Sequence, residues 1–224
     1  FLSLSFCRKL FKNKIGLIDS PLYSPESVRK RLLNYDQTVF NLDDLYTLSA
    51  EESKNSVILL QDAFTSFYES QVVVEFYQLL KRLGFSVYVA PFHPNGKPLH
   101  IKGFLKKFRN VAERNIKWLT HVGGSGIPIV GLDPSIVLTY RDEYIKILGQ
   151  NNLKIKVLLP QEFLMMNQDN CRKNAVKSMQ NFEEYHLLGH CTEKTTAESA
   201  LELWKDVFDL FGLDLMLISS GCCG

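Results

Sequence analysis

The sequence predicts an α/β fold, with one or more largely parallel sheets and helices on both faces, built from two pseudo-repeated βαβ modules of which the second is truncated. Short apolar runs of strand length alternate with longer segments in which apolar residues recur at helical spacing. The pattern of residues 57–96 returns in the same order and spacing in residues 185–224. The composition, 46% hydrophobic and 22% charged residues, is typical of a globular chain that buries a core.

The N-terminal part of the sequence, up to Ser56, is the least regular. A helix is predicted at residues 24–33, and residues 36–55 are predicted to connect it to the first strand. We therefore expect an irregular and helical N-terminal segment and linker at residues 1–56, a first module at 57–150 and a second module at 151–224.

The first module is predicted to begin as a strand, a helix and a second strand. A buried strand at 57–60 leads to a helix at 72–83, which Gly84 ends. The second strand at 85–89 is followed by a turn at 91–96 that contains two prolines and a glycine. The remaining elements of this module are a helix at 101–119, a strand at 127–132 and a helix at 133–148 that Asp133 and Pro134 open.

The second module is predicted to repeat that order. A strand at 155–159 and a helix at 161–179, with a loop near 167–170, precede the repeat. The repeat itself comprises a strand at 187–188, a helix at 200–211, Gly212 and a strand at 213–217. Six apolar positions of the helix and two glycines keep one constant offset from the first module, the offset that separates Gly84 from Gly212. This shared register indicates an internal duplication.

Charge and hydropathy exclude some classes of function. The chain has 26 Lys and Arg against 24 Asp and Glu, and a net charge of +2 gives no overall field for nucleic acid. No apolar run approaches the length of about 20 residues that a membrane span needs. The sequence starts at Phe1 and ends at Gly224 directly after an apolar run, so we expect a fragment of a longer protein.

The repeat register brings three of the five cysteines together. Cys191 aligns with Ala63, and Cys222 and Cys223 align with residues 94–95, all just after strands. Because the carboxyl ends of parallel strands meet at one edge of a sheet, the three thiols are predicted to converge there. Thiolates at such an edge suit an iron–sulfur cluster or zinc, whereas the alternative is three small buried apolar side chains.

The arrangement of Cys191 and the later 222–224 triplet, Cys-Cys-Gly, resembles the cysteine-rich CCG domain of heterodisulfide reductase B subunits and of glycolate- and lactate-oxidising systems. In that family a Cys-x-x-Cys element follows, which here would lie beyond Gly224. The first module has Pro-Asn-Gly at 94–96 where Cys-Cys-Gly is usual, and Asp-Pro-Ser-Ile at 133–136 where Cys-Pro-Ser-Cys is usual. The resemblance therefore implies a degenerate first module without cysteine ligands.

A second resemblance covers most of the chain, from about residue 15 to residue 224. The segments that carry it are residues 61–66, 91–97, 100–104, 131–134, 140–144 and 189–193. They resemble the C-terminal region of large bacterial FAD-linked oxidases of the iron–sulfur D-2-hydroxyglutarate dehydrogenase type. That family implies an FAD-dependent oxidoreductase in which a flavin domain oxidises a 2-hydroxy acid and iron–sulfur centres pass electrons onward. FAD would belong to a part of the parent enzyme outside this chain, and no catalytic residue is assigned here.

These resemblances imply an electron-transfer module, in which Cys191, Cys222 and Cys223 are thiolate ligands of an iron–sulfur cluster completed by cysteines after Gly224. We expect the cluster in the full-length protein and an empty site in the chain as it stands. The implied partners are the flavin and ferredoxin-like domains of the same parent chain and an electron acceptor. The alternative is a cluster-free scaffold that docks the flavin domain or a redox partner, and a zinc site is a third option.

Four further polar residues are candidates for supporting roles. His190 precedes Cys191 and is a candidate for a hydrogen bond to a cluster sulfur. His93, Lys97 and His100 lie on one loop, which is either a docking loop or an ordinary proline and glycine turn. The odd number of cysteines is typical of a reducing compartment, so we expect a cytoplasmic protein, or one held at the membrane periphery by its electron acceptor.

Overall fold

The computed structural model describes residues 4–16, 21–33, 35, 40–149, 156–175, 184–219 and 221. Within these ranges it confirms the predicted α/β fold, with a four-stranded parallel sheet, a two-stranded parallel sheet and helices around them.

The N-terminal region contains four helices among its described residues, with non-helical segments between them. It contains α1 (Ser5–Ile15), α2 (Val28–Leu32), α3 (Leu42–Tyr46) and α4 (Ala50–Lys54). The helix predicted from residue 24 begins only at Val28, because the Ser27 side chain accepts the Lys30 N–H and caps the first turn. Two short helices replace the predicted connection, and a Ser49–Glu52 capping box explains the second of them.

The four-stranded sheet has the order β2-β1-β3-β4, and its strands are β1 (Ser56–Leu59), β2 (Ser86–Val89), β3 (Ile129–Val130) and β4 (Val157–Leu158). All three strand pairings are parallel. Every residue of β1 is buried, because helices cover both faces of the sheet. The predicted strands at 127–132 and 155–159 are shorter than expected, and residue 155 lies outside the described residues.

The helices of the first sheet are α5 (Ala63–Phe67), α6 (Ser70–Arg82), α7 (Lys97–Ile101), α8 (Leu105–Gly123), α9 (Pro134–Arg141), α10 (Glu143–Leu148), α11 (Pro160–Met166) and α12 (Gln168–Asn174). Their apolar sides form one core on each face of the sheet. On one face, Ile58 of β1 packs with Phe108 and Leu119 of α8. On the other face, its neighbours Val57 and Leu59 pack with α6 and α11. The alternation of side chains along β1 thus separates the two cores.

Three predicted helices differ in detail from the observed ones. The helix predicted from Ile101 begins at Leu105, and Ile101 is exposed at the end of the separate α7. The helix predicted at 133–148 is divided at Asp142 into α9 and α10. The helix predicted at 161–179 is interrupted at Asn167, but residues 168–170, predicted as loop, are helical. Residues 176–179 lie outside the described part of the chain.

The second sheet contains β5 (Tyr185–Leu188) and β6 (Leu215–Ile218), linked by α13 (Cys191–Thr196) and α14 (Glu198–Leu210). Both ends of α14 keep the repeat offset from the ends of α6, and the start of α13 keeps it from the start of α5. Gly84 and Gly212, which define that offset, both have positive φ, at 88° and 69°. The backbone of the two segments therefore follows the register that the sequence predicts, although α5 and α13 themselves were not predicted.

Replacement of Leu119 by alanine tests the core beneath α8. Leu119 is fully buried, so we expect Leu119→Ala to lower the free energy of unfolding by about 2–5 kcal/mol through lost transfer energy and a residual cavity. Leu105→Ala is the matched control, because Leu105 lies on the same helix and is 49% exposed. Urea unfolding at ambient temperature measures both, and equal losses in the two variants would contradict this packing.

Candidate functional site

The carboxyl ends of the strands gather carboxyl and amide side chains at one edge of the sheet. Asp62 follows β1 and Asp133 follows β3. The charge of Asp133 contributes to a raised pKa of both Asp62 and Glu193 of α13. Gln161, at the start of α11, donates a hydrogen bond from Nε2 to Glu193 Oε1 at 2.8 Å and to Ala200 O at 3.0 Å. This edge therefore joins the first sheet to the helices of the second.

Cys191 is the first residue of α13 and lies half-buried at this edge. His190 caps the helix, since its Nδ1 accepts the Thr192 N–H at 3.2 Å. The Glu193 carboxylate accepts the backbone N–H of His190, which fixes the turn from the other side. His190 thus holds the backbone from which the Cys191 thiol projects, and the predicted hydrogen bond from its ring to a sulfur stays a prediction.

In the corresponding turn of the first module, a side chain also caps the following short helix. Asp62 occupies the place of His190 and caps α5, with Oδ1 accepting the N–H groups of Phe64 and Thr65 at 2.8 and 2.9 Å. Its Oδ2 accepts the Thr65 hydroxyl at 2.5 Å. Ala63 is then the first residue of α5, as Cys191 is of α13. The repeat offset is therefore kept at the level of caps and helix starts.

A cavity of about 220 Å³ opens beside Ala63, and we call it the edge cavity. Its lining includes Pro94 and Asn95, which align with Cys222 and Cys223, and Ile136, which stands at the last cysteine position of the family pattern. The counterparts of the predicted ligands thus meet at one place in the first module, where none of them is a cysteine. Its remaining walls come from Asp62, Phe92, His93, Gly96, Pro98, Leu99 and Val111.

The predicted convergence of thiols in the second module stays a prediction. Cys222 and Cys223 lie outside the described residues, whereas Cys191 lies within them. Across the described ranges, no three His, Cys, Asp or Glu side chains are grouped so as to hold a metal ion. Cys171 is buried, and burial raises the pKa of its thiol to about 11, so it is a thiol at neutral pH.

The other predicted polar residues have intramolecular partners. Lys97 forms an ion pair with Glu143 of α10, and His100 Nδ1 lies 4.0 Å from the same carboxylate. His93 stacks on Trp118, with ring centroids 4.2 Å apart, and its burial lowers its pKa. Lys97 and His100 lie in α7 rather than in the predicted loop, and only His93 precedes that helix. These contacts hold the segment against α8 and α10, and a docking role for the three residues stays a prediction.

Sequence reasoning missed the buried carboxyls at the edge. Burial raises the pKa of Asp62, and the charge of Asp133 adds to the rise. Burial also raises the pKa of Glu193, against the hydrogen bond from Gln161. The repeat offset aligns Asp62 with His190, and both residues follow a strand and precede a short helix. This alignment could have indicated from the sequence that Asp62 lies at the sheet edge.

The comparisons with known proteins agree on one class of enzyme. The chain is 38% identical over 224 residues to D-2-hydroxyglutarate dehydrogenase of Escherichia coli, which is 100% of this chain and 22% of the relative. It is 39% identical over 216 residues to D-2-hydroxyglutarate dehydrogenase of Pseudomonas putida, covering 96% of this chain and 21% of that protein. A subunit of the anaerobic glycerol-3-phosphate dehydrogenase of Escherichia coli is 26% identical over 175 residues, 76% of this chain and 43% of that subunit.

No family model matches the chain, and no solved structure matches it. Among the described helices none combines the length and the hydropathy needed to cross a membrane. The chain spans about a fifth of the length of the D-2-hydroxyglutarate dehydrogenases that it matches. Its whole length is thus homologous to one segment of these enzymes.

The raised pKa of Glu193 gives a pH-dependent difference in stability. The folded state binds the proton of this carboxyl more tightly than the unfolded state, so its ionisation costs stability as pH rises through the folded pKa. We expect Glu193→Gln to gain free energy of unfolding relative to the native protein as pH rises from 4 to 7. Urea titrations across this range measure the difference.

Glu198→Gln is the control for that series, since Glu198 is exposed at the start of the neighbouring α14. Because this side chain is exposed, we expect the pH dependence of stability to change less in this variant than in Glu193→Gln. A Glu193→Gln curve that runs parallel to the native one would contradict the raised pKa.

Proposed function

We propose that this chain is the iron–sulfur-binding, electron-transfer part of an FAD-dependent dehydrogenase that oxidises a 2-hydroxy acid of the D-2-hydroxyglutarate type. The observation that carries the proposal is the repeat geometry around the edge cavity. The counterparts of all three cysteines line one cavity in the first module, which supports the convergence of Cys191, Cys222 and Cys223 in the second.

The relatives support a redox role rather than recognition of a substrate. One relative is named for D-2-hydroxyglutarate and the other for glycerol-3-phosphate, yet both contain a segment similar to this chain. Enzymes that oxidise different substrates have in common the onward transfer of electrons. A segment shared between them therefore suits that transfer better than the recognition of either substrate.

The available thiols suit an iron–sulfur cluster. Clusters are held by cysteine thiolates, and the adjacent Cys222 and Cys223 are poorly placed to form a disulfide with each other. Cys191 is partly exposed at the start of α13, so a ligand at the sheet edge can reach its thiol. When bound, a cluster supplies one-electron transfer, and the ligands after the third belong to a part of the enzyme outside this chain.

The roles of this chain's own residues follow from the cap of α13. His190 and Glu193 fix the turn through two hydrogen bonds, and this positions Cys191. Gln161 fastens Glu193 to α11. We propose that residues 57–150 act as a module without cysteine ligands that supports the metal-binding module at 151–224.

The wider assembly is part of the same proposal. FAD and the flavin and ferredoxin-like domains would lie in the rest of the enzyme, because this chain spans about a fifth of its relatives. The cysteine content supports a reducing compartment, and we place the enzyme in the cytoplasm or at the membrane periphery beside its electron acceptor.

A cluster-free docking scaffold is the second candidate, and one surface favours it. Helix α8 and the turn before it expose six basic side chains, and among the described residues none of them forms an ion pair: Lys102, Lys106, Lys107, Arg109, Arg114 and Lys117. Such a face suits contact with an acidic domain or redox partner.

Iron content of the full-length enzyme tests the proposal. We expect Cys191→Ala, purified without oxygen, to contain less iron and acid-labile sulfide than the native enzyme, by the amount that one cluster holds. The same result is expected for Cys222→Ala and Cys223→Ala. Reduction of FAD by the hydroxy acid should persist, whereas transfer to an external acceptor should fall by at least about tenfold, because an electron-transfer step is lost.

Cys171→Ala is the matched control, since Cys171 is a buried cysteine outside the repeat register. It should keep the full iron content and the rate of electron transfer. Native iron content in Cys191→Ala would refute the cluster and favour the docking scaffold.

A further inference from the structure

One face of the second sheet carries exposed apolar side chains. Residues along β5 and β6 alternate between half-buried and exposed, and the exposed set includes Leu188 (62%), Met216 (50%) and Ile218 (38%). Leu188 pairs directly with Ile218, and Met216 lies two residues before Ile218 on the same strand, so the three side chains are neighbours. A contiguous apolar patch of this kind is typical of a contact surface.

The opposite face of this sheet is covered by α14. Tyr185 of β5 packs its ring against Phe208 of α14, with ring centroids 5.5 Å apart. Phe208 keeps the repeat offset from Leu80 of α6, which belongs to the same core as Val57 of β1 in the first module. Helix α14 therefore covers the second sheet as α6 covers the first.

The exposed residues have buried counterparts in the first module. The strand pairing itself keeps the repeat offset, since Ile58 pairs with Tyr88 and His186 pairs with Met216. By this offset, the exposed face of β5 and β6 corresponds to four residues of β1, β2 and the positions after them: Ile58, Leu60, Tyr88 and Ala90. All four are buried, although the two sheets have the same register.

Helix α8 is the element that buries those counterparts. The four residues belong to one core with Phe108, Ala112 and Leu119 of α8. Helix α8 follows β2 in the chain, so its counterpart would follow β6, where the described residues contain no helix. The repeat therefore indicates what kind of element fits the exposed face.

We propose that the exposed face of β5 and β6 binds an amphipathic helix of the parent enzyme, the counterpart of α8. At the repeat offset, this helix lies about 10 to 30 residues after Gly224. Its apolar side packs on Leu188, Met216 and Ile218, as the apolar side of α8 packs on the first sheet. This surface contains no cysteine, so its test is independent of the iron content.

His186 gives the covering helix one polar requirement. It stands on the exposed face where the first sheet has Ile58, and its Nε2 lies 3.9 Å from the carboxylate of Glu184. Buried polar side chains are hydrogen-bonded in folded proteins. The helix is therefore expected to carry a hydrogen-bonding side chain opposite His186 within an otherwise apolar side.

Cross-linking from Met216 identifies what covers this face. Photo-methionine, a diazirine analogue of nearly the same size as methionine, is incorporated into the full-length enzyme, and irradiated samples are analysed by peptide mass spectrometry. We expect Met216 to cross-link to a segment about 10 to 30 residues after Gly224 in the same chain. Water adducts alone at Met216, or cross-links to another region or to a second copy of the enzyme, would overturn the proposal.

A charge on the same face tests the contact a second time. Leu188 is exposed in this structure, but Leu188→Lys would place an ammonium group beneath the covering helix. We expect the cross-link from Met216 to that segment to fall about fivefold or more, because burial of an unpaired charge is costly. Glu202→Lys adds positive charge at an exposed position of α14 and should leave the cross-link unchanged. Unchanged cross-linking in Leu188→Lys would refute a helix packed on this face.

Discussion

Parallel pairing of β1 with β2 and β3 is the constraint on which the rest of the structure depends. Parallel strands need helical crossovers, which cover β1 on both faces, and the pairing brings the ends of neighbouring strands to one edge. The N-terminal caps of α5 and α13, the edge cavity and the buried carboxyls all lie at such strand ends. The paired strands of each described sheet run in the same direction. Side chains on short turns that are far apart in the sequence therefore lie in one region.

The internal repeat shows how one βαβ frame can carry different residues at its strand ends. The caps, helix starts and positive-φ glycines keep the repeat offset, while the residue types after the strand ends differ. In the first module Ala63, Pro94 and Asn95 line the edge cavity. In the second module the same positions are cysteines. The two copies thus agree where the frame supports the backbone, and differ where ligands would bind.

The sequence predicted the fold class and the main strands and helices along the chain, since apolar periodicity encodes them directly. It did not predict the short helices α5 and α13, because side-chain cap hydrogen bonds rather than apolar spacing define these elements. It also did not predict the division of the helix at Asp142. The ion pair of Lys97 with Glu143 joins two helices far apart in the sequence, a contact that no local pattern encodes. The edge cavity is likewise visible only once distant turns are assembled.

The central claim is that Cys191 lies beside Cys222 and Cys223, as their counterparts lie together in the first module. Reaction of the iron-free protein with dibromobimane, which fluoresces when it bridges two nearby thiols, measures this proximity, and peptide mass spectrometry identifies the bridged residues. We expect a bridge between the peptide containing Cys191 and the peptide containing Cys222 and Cys223. Singly alkylated Cys191 with no bridge to that peptide would contradict the shared site.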